Sequence, residues 1–268
     1  MTTVPTPSLA VERIRHTVQV RRLRVQAIQR PSPQLVRVRL EGEALRGFVS
    51  ASFDDHLKLM LPAQPGQPLV LPQPGPEGLA MPPGVERPAM RDYTPRAFDA
   101  EAGWLDIEFV LHGEGVASLW ADAARIGDEV GIGGPRGSFV VPTGFDWHLL
   151  VGDETALPAI ARRLEELPAS TQAIVVAETR DAREQRALSS RASLGTHWVQ
   201  AGDSAALARQ VAALRLPGGE GFAWAAGEAA SMVAVREALV GGHGLDKSRV
   251  RASAYWKRGS EGHHETLA

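Results

Sequence analysis

Apolar and polar residues alternate through much of the first half of the chain. In Leu35-Val36-Arg37-Val38-Arg39-Leu40 the arginines fall between apolar positions, and Trp104-Leu105-Asp106-Ile107-Glu108-Phe109-Val110-Leu111 repeats the pattern. Shorter runs at residues 18–29, His56–Leu61, Val130 with Ile132, and Phe139–Val141 continue it. Period-two alternation broken by turn residues predicts half-buried strands, and several in series predict an antiparallel barrel or sandwich. The rhythm changes near residue 147. His148–Gly152, Ala173–Ala177 and Phe222–Ala226 are continuous apolar runs, with helical patterns over 156–167 and 228–240 and weaker strand and helix signals at 196–200 and 204–214. Val250–Trp256 is the last strand. Strands alternating with helices predict βαβ units and an open parallel sheet. The expected organisation is a β-barrel over residues 1–143 and an α/β domain over 144–268, joined near Pro142–Trp147.

Residues 62–90 are dense in proline and glycine and read as a long surface loop. The chain has 268 residues, 44% hydrophobic and 22% charged, with a formal net charge of -2. That balance argues against nucleic-acid binding, for which a basic surface is expected, so an anionic partner would need a local basic patch. The absence of cysteine excludes disulfides, thiolate zinc sites and cysteine-held iron–sulfur clusters. No run approaches the roughly 18 apolar residues of a membrane span, and the N-terminal stretch lacks the apolar core of a secretory signal. A cytoplasmic protein is the expectation.

The two tyrosines lie in runs that suggest chemistry. Arg91-Asp92-Tyr93-Thr94-Pro95-Arg96 offers a cation, an aromatic face and a hydroxyl, and an extended backbone puts Arg91 and Tyr93 on one face. That set suits a flavin: guanidinium for phosphate, phenol against the ring system, hydroxyl or N–H towards a ring nitrogen. The proline-rich loop precedes it directly and is placed to cover such a site. His112-Gly113-Glu114-Gly115-Val116-Ala117-Ser118-Leu119-Trp120-Ala121 follows a strand and could open a helix, aiming backbone N–H groups at a phosphate; taken alone, a plain turn and helix start with Ser118 facing solvent is the better account, and the phosphate reading gains beside the Arg91 run. Gly131-Ile132-Gly133-Gly134-Pro135-Arg136-Gly137 fails as a dinucleotide fingerprint, because Arg136 stands at the third glycine and a strand follows, so a turn between strands is expected. Val151-Gly152-Asp153-Glu154-Thr155-Ala156-Leu157-Pro158 is a strand-to-helix turn, where open α/β sheets bind ligands. Asp153 or Thr155 could cap the helix. Its two acidic residues make a poor phosphate cradle, which leaves Arg180, Arg183 and Arg186 as candidates or as a solvated charged face. Two of the three lysines, Lys58 and Lys257, fall beside candidate runs, and Lys257 adjoins Arg258. Histidine spacing suggests no metal site, and His263-His264 reads as part of a disordered polar tail.

With these runs together, the chain resembles the siderophore-interacting protein family, flavin-dependent ferric-siderophore reductases related to ferredoxin–NADP reductases. The resemblance rests on His56-Leu57-Lys58, Arg91–Arg96, His112–Ala121, Gly134-Pro135-Arg136-Gly137-Ser138-Phe139, Asp153–Ala159, Ala226-Gly227-Glu228 and Tyr255-Trp256-Lys257-Arg258-Gly259, in family order. It implies an N-terminal antiparallel Greek-key barrel holding FAD and a C-terminal α/β domain receiving NAD(P)H. It implies that Arg91, Tyr93, Thr94, Val110, His112, Ala117, Ser118 and Trp256 hold the flavin. Asp153, Thr155, Ala156, Gly227 and Glu228 would meet NAD(P)H, and Lys58, Lys257 and Arg258 the ferric complex. Val116 stands where the family often has proline. The implied chemistry is hydride transfer from NAD(P)H to flavin, then single electrons to the Fe(III) of an anionic siderophore chelate, in a monomer. Two alternatives stand beside it: a flavoprotein reductase serving a small redox protein, and a non-catalytic ferric-siderophore carrier.

Overall fold

Strand pairing accounts for the alternation of the first half. Arg37 lies opposite Glu108 and Arg39 opposite Asp106, so two polar rows meet on one face while Val36, Val38, Leu40, Leu105, Ile107 and Phe109 pack on the other. Arg39 grips Asp106 with two bonds of 2.7 and 2.8 Å and stacks over Trp104 at 4.0 Å. This computed structural model describes residues 9–64, 66–75, 78–260, 262 and 264–267. They form two units: Ile14–Ser138, and Phe139–Ala268 with the described part of Met1–Arg13.

The first unit carries a seven-stranded antiparallel sheet. Its order is Ala89–Tyr93, Leu57–Leu61, Glu129–Gly133, Val20–Ser32, Leu35–Glu41, Trp104–Val110 and Ala97–Asp99. The two edge strands are consecutive in sequence, joined only by residues 94–96. Laid flat, the edges would stand about 29 Å apart at about 4.8 Å per strand, whereas the chain from Tyr93 to Ala97 reaches at most about 14 Å. The sheet therefore curls round, and Leu23, Val25, Leu57, Leu59, Val130 and Ile132 join its enclosed core. Helix Val116–Ala123 adds Ala117 and Ala121 to that core. Within the glycine run, residues 134–136 turn the chain between Glu129–Gly133 and Gly137–Val140, as the run's residues predict. The proline-rich stretch is not wholly irregular: Gln73–Gly75 pairs with Gly78–Ala80 as a short hairpin.

The second unit is a six-stranded sheet ordered Ser193–Gln200, Gln172–Thr179, Trp147–Gly152, Gly221–Glu228, Val250–Trp256 and Glu265–Leu267. The first five strands are parallel. The sixth makes the sheet mixed and corrects one expectation, since residues 264–267 of the polar tail are ordered rather than disordered. Glu265–Leu267 runs antiparallel to Ala252–Ala254, and His264 packs edge-on against Tyr255 at 5.8 Å; His263 lies outside the described residues. Helices Leu157–Glu166, Ala206–Ala212 and Ala229–Glu237 connect the strands, and Leu207, Val211, Met232 and Val235 bury against Leu149, Val151, Ala223 and Ala225. Among the described residues no helix is long and apolar enough to cross a membrane.

His148, on the central strand, is 1% exposed and meets Phe145 edge-on at 5.7 Å. Burial, helped by the Arg163 charge, lowers its pKa to about 3. The folded imidazole stays neutral where the unfolded one, with a pKa of about 6.5, takes up a proton. Between those values the unfolded state binds more protons, so this contribution is full above pH of about 6.5 and fades as pH falls towards 3. His148→Leu is expected to flatten the fall in urea stability over that window, by up to about 4 kcal/mol at its acid end. An unchanged pH slope in the variant would count against a neutral buried imidazole.

Candidate functional site

In the first unit the site grows from the edge strand Ala89–Tyr93. Its register against Leu57–Leu61 pairs Tyr93 with Leu57, Asp92 with Lys58 and Arg91 with Leu59. Cross-strand partners share a face, so Tyr93 and Arg91 lie on the side of the buried leucines, together as the alternation predicts, and Lys58 and Asp92 lie on the other. Tyr93 packs on Phe109 at 4.5 Å and Phe109 on Trp120 at 5.5 Å. Burial pushes the Tyr93 phenol well above its ordinary pKa, with a smaller downward pull from Arg91, so the hydroxyl remains a donor at neutral pH. Arg91 is half-buried and donates to the Met90 carbonyl at 2.9 Å. Thr94, just past the strand, is buried.

Val110 ends its strand half-buried, and the loop that follows leads through exposed His112 into helix Val116–Ala123. Gly115 enters the helix at φ 77°, and no side chain caps the first turn. Gly113 also has positive φ, and a Cβ there would meet nothing within 4 Å. The buried Ser118 hydroxyl accepts the His112 N–H at 3.1 Å and closes the loop on itself. Uncapped helix N–H groups preceded by an unobstructed glycine suit a pyrophosphate. With the Arg91 cation and the protonated Tyr93 hydroxyl, the residues present fit FAD.

In the second unit the site gathers on Asp153, at the C-terminal end of the central strand. Its Oδ1 accepts Thr155 N–H at 2.9 Å and the Thr155 hydroxyl at 2.5 Å, and its Oδ2 accepts Glu228 N–H at 3.0 Å and Trp256 Nε1–H at 2.7 Å. Burial pushes the Asp153 pKa up, and these bonds oppose it. A Cβ on Gly227 would stand 2.6 Å from Oδ2, so the glycine is what lets the carboxylate reach this strand end. The carboxylate is saturated and ties together the ends of Trp147–Gly152, Gly221–Glu228 and Val250–Trp256, which leaves it a positioning role.

The cap expected from Asp153 or Thr155 is not formed. Helix Leu157–Glu166 begins at fully buried Ala156 without a side-chain cap, because Asp153 turns back on Thr155. Glu228 instead caps the next helix, accepting Ala230 N–H at 2.7 Å and Ser231 N–H at 3.1 Å, and its other oxygen takes Arg258 N–H at 3.4 Å. Of the arginines considered for phosphate, Arg183 is exposed and bound to Asp181, matching the solvated-face reading, while Arg180 offers its N–H to Glu154 at 2.7 Å. Arg186 is half-buried. Lys58 pairs with Asp92 at 2.8 Å, and Lys257 and Arg258 are exposed after Val250–Trp256.

Sequence reasoning missed Glu178, one residue beyond the predicted strand 173–177. Burial first, then Asp153 and Glu154, raises its pKa to about 7 against the pull of Arg180 and Arg258. A carboxylate at the ligand edge of a parallel sheet was the available signal. It also missed a buried knot in the first unit, where Asp55 accepts the hydroxyls of Ser50 and Ser138 at 2.9 and 2.7 Å and Ser52 N–H at 3.1 Å. No local pattern announces that one.

Residues 24–139 match the family model described as siderophore-interacting FAD-binding domain, and residues 145–259 match the siderophore-interacting protein model. An NADPH-dependent ferric-chelate reductase of Escherichia coli (strain K12) is 38% identical over 248 residues, covering 91% of this chain and 96% of the relative. The ferric vibriobactin reductase ViuB of Vibrio cholerae is 34% identical over 87% of this chain and 89% of its own. The crystal structure of a siderophore utilization protein from T. fusca superposes with a TM-score of 0.85 at 34% identity, covering 95% of this chain and 98% of that one.

Proposed function

Because this chain belongs to the siderophore-interacting protein family, we propose that it is an FAD-dependent ferric-siderophore reductase that takes electrons from NAD(P)H. The observation that carries the reading is the joining, in one chain, of a barrel unit whose Arg91–Thr94 and Gly113–Ser118 segments fit FAD to an α/β unit with a pre-tied strand-end turn. The similarity to an NADPH-dependent ferric-chelate reductase along nearly its whole length supports it.

FAD, when bound, lets a two-electron donor serve a one-electron acceptor. The residues supply position and field. Arg91 balances phosphate charge, the first-turn N–H groups of Val116–Ala123 receive the pyrophosphate, and the Tyr93 hydroxyl donates a hydrogen bond. Val110, His112, Ala117 and Ser118 shape the loop that would border it. Asp153 fixes Thr155, Gly227 and Glu228 where the dinucleotide is received. Lys58, Lys257 and Arg258 attract the chelate, whose hard oxygen ligands hold Fe(II) less firmly than Fe(III), so reduction frees the metal. We place this activity in the cytoplasm, where NAD(P)H is supplied, and in a monomer with residues 1–143 as the FAD domain and 144–268 as the NAD(P)H domain.

The test is NADPH oxidation with a ferric tris-catecholate as acceptor, against flavodoxin and ferredoxin at equal concentration. Faster turnover with the chelate is expected; preference for either protein would move the chain to the alternative reductase reading. Lys58→Ala and Lys257→Ala are each expected to raise KM for the chelate about three- to tenfold with flavin content unchanged, an effect that shrinks as salt rises. Wild-type KM in both variants would remove the chelate assignment.

A further inference from the structure

The Lys58 ammonium, offered above to an anionic chelate, is already occupied. Asp92 stands directly across the strand pair from it and accepts its proton-bearing nitrogen at 2.8 Å. On the other flank Lys58 faces Gly133, which has no side chain. Along this row, Asp92 is therefore the cross-strand side chain that meets Lys58. The ammonium is half-exposed, with 48% of the side chain accessible, while the carboxylate is at 16%. A ring nitrogen of exposed His56 lies within 4.8 Å of the Asp92 carboxylate. Asp92 thus has both Lys58 and His56 as near neighbours, in a strand, where aspartate is disfavoured. It also lies on the opposite face from Arg91 and Tyr93, so its charge is not needed to orient them.

We propose that Asp92 sets the affinity and charge preference of the chelate site, as a built-in anion that the substrate must displace from Lys58. This rests on the reductase reading above. A multiply anionic ferric chelate competes with the carboxylate for the ammonium and is repelled by it, so Asp92 weakens capture and speeds departure of the spent anionic ligand. A neutral chelate gains nothing from displacing it. A cross-strand ion pair with only a structural role would treat the two ligands alike.

The experiment measures dissociation constants by tryptophan-fluorescence quenching, with redox-inert gallium(III) complexes of a tris-catecholate (anionic) and a trihydroxamate (neutral), at low and high salt. In Asp92→Asn, binding of the anionic complex should tighten about three- to tenfold at low salt and less at high salt, with the neutral complex unchanged. Asp92→Glu keeps the charge and should stay near wild type. The double variant Lys58→Ala/Asp92→Asn should lose the salt-sensitive gain. Flavin content and KM for NADPH report that each variant is folded. Asp92→Asn shifting both complexes equally, or neither, while Lys58→Ala weakens the anionic one, would overturn the proposal and leave the reductase reading standing. Lys58→Ala without effect on either complex would instead remove the chelate assignment of Lys58, and this proposal with it.

Discussion

Asp153→Ala is expected to lower NADPH-dependent turnover about 100-fold and raise KM for the dinucleotide, while the barrel unit keeps its flavin. The substitution strips the acceptor from Thr155 N–H, Glu228 N–H and Trp256 Nε1–H at once. Each buried donor left unsatisfied costs about 1–3 kcal/mol, less whatever entering water recovers. The α/β unit should therefore lose about 4 kcal/mol, comparable with removing one member of a buried charged network. Displacement of the three strand ends by even about 1 Å is enough for a 100-fold kinetic loss. Asp153→Asn keeps the shape but turns an amide NH2 towards two donors, and should fall between alanine and wild type. Urea unfolding followed by tryptophan fluorescence, with NADPH kinetics on the same samples, checks both halves. A folded Asp153→Ala with unaltered NADPH kinetics would show that the hydrogen bonds gathered on Asp153 are structural alone.

Arg91→Ala should yield a folded but nearly colourless protein. The account gives this guanidinium the phosphate charge of FAD, and losing a charged contact of that kind costs about 2–5 kcal/mol. FAD affinity would then fall by about 30- to 3000-fold, at about 1.4 kcal/mol per factor of ten. Arg91→Lys should restore only part, since an ammonium lacks the planar fork that grips two oxygens. Titration of the apoprotein with FAD, with circular dichroism to verify the sheet, gives the comparison. Equal flavin retention after gel filtration in wild type and Arg91→Ala would take the arginine out of the site.

Features written in neighbouring residues were legible in the sequence. The alternation of 104–111 fixes which side of the strand enters the core, and Val250–Trp256 has the predicted limits. Helix 116–123 and the ligand edge at 151–158 likewise follow from local turn residues, although the cap expected at Asp153 or Thr155 does not form. What stayed hidden depends on residues far apart in the chain. Asp153 reads locally as a helix cap, and only folding brings it Glu228, 75 residues on, and Trp256, 103 residues on. Lys58 reads as a lone basic residue until the strand register brings Asp92 against it. The edge strand Glu265–Leu267 was missed because three residues of mixed polarity carry no periodic signal, and its pairing with Ala252–Ala254 supplies the order instead.

The most direct measurement is anaerobic titration of the purified protein with NADPH, followed by a ferric tris-catecholate and a ferrous-specific trap. The account predicts a yellow protein whose flavin absorbance bleaches with NADPH and returns on adding the chelate, with two ferrous ions trapped per NADPH consumed. A colourless protein that binds the chelate, or flavin that stays bleached while the iron stays ferric, would contradict it.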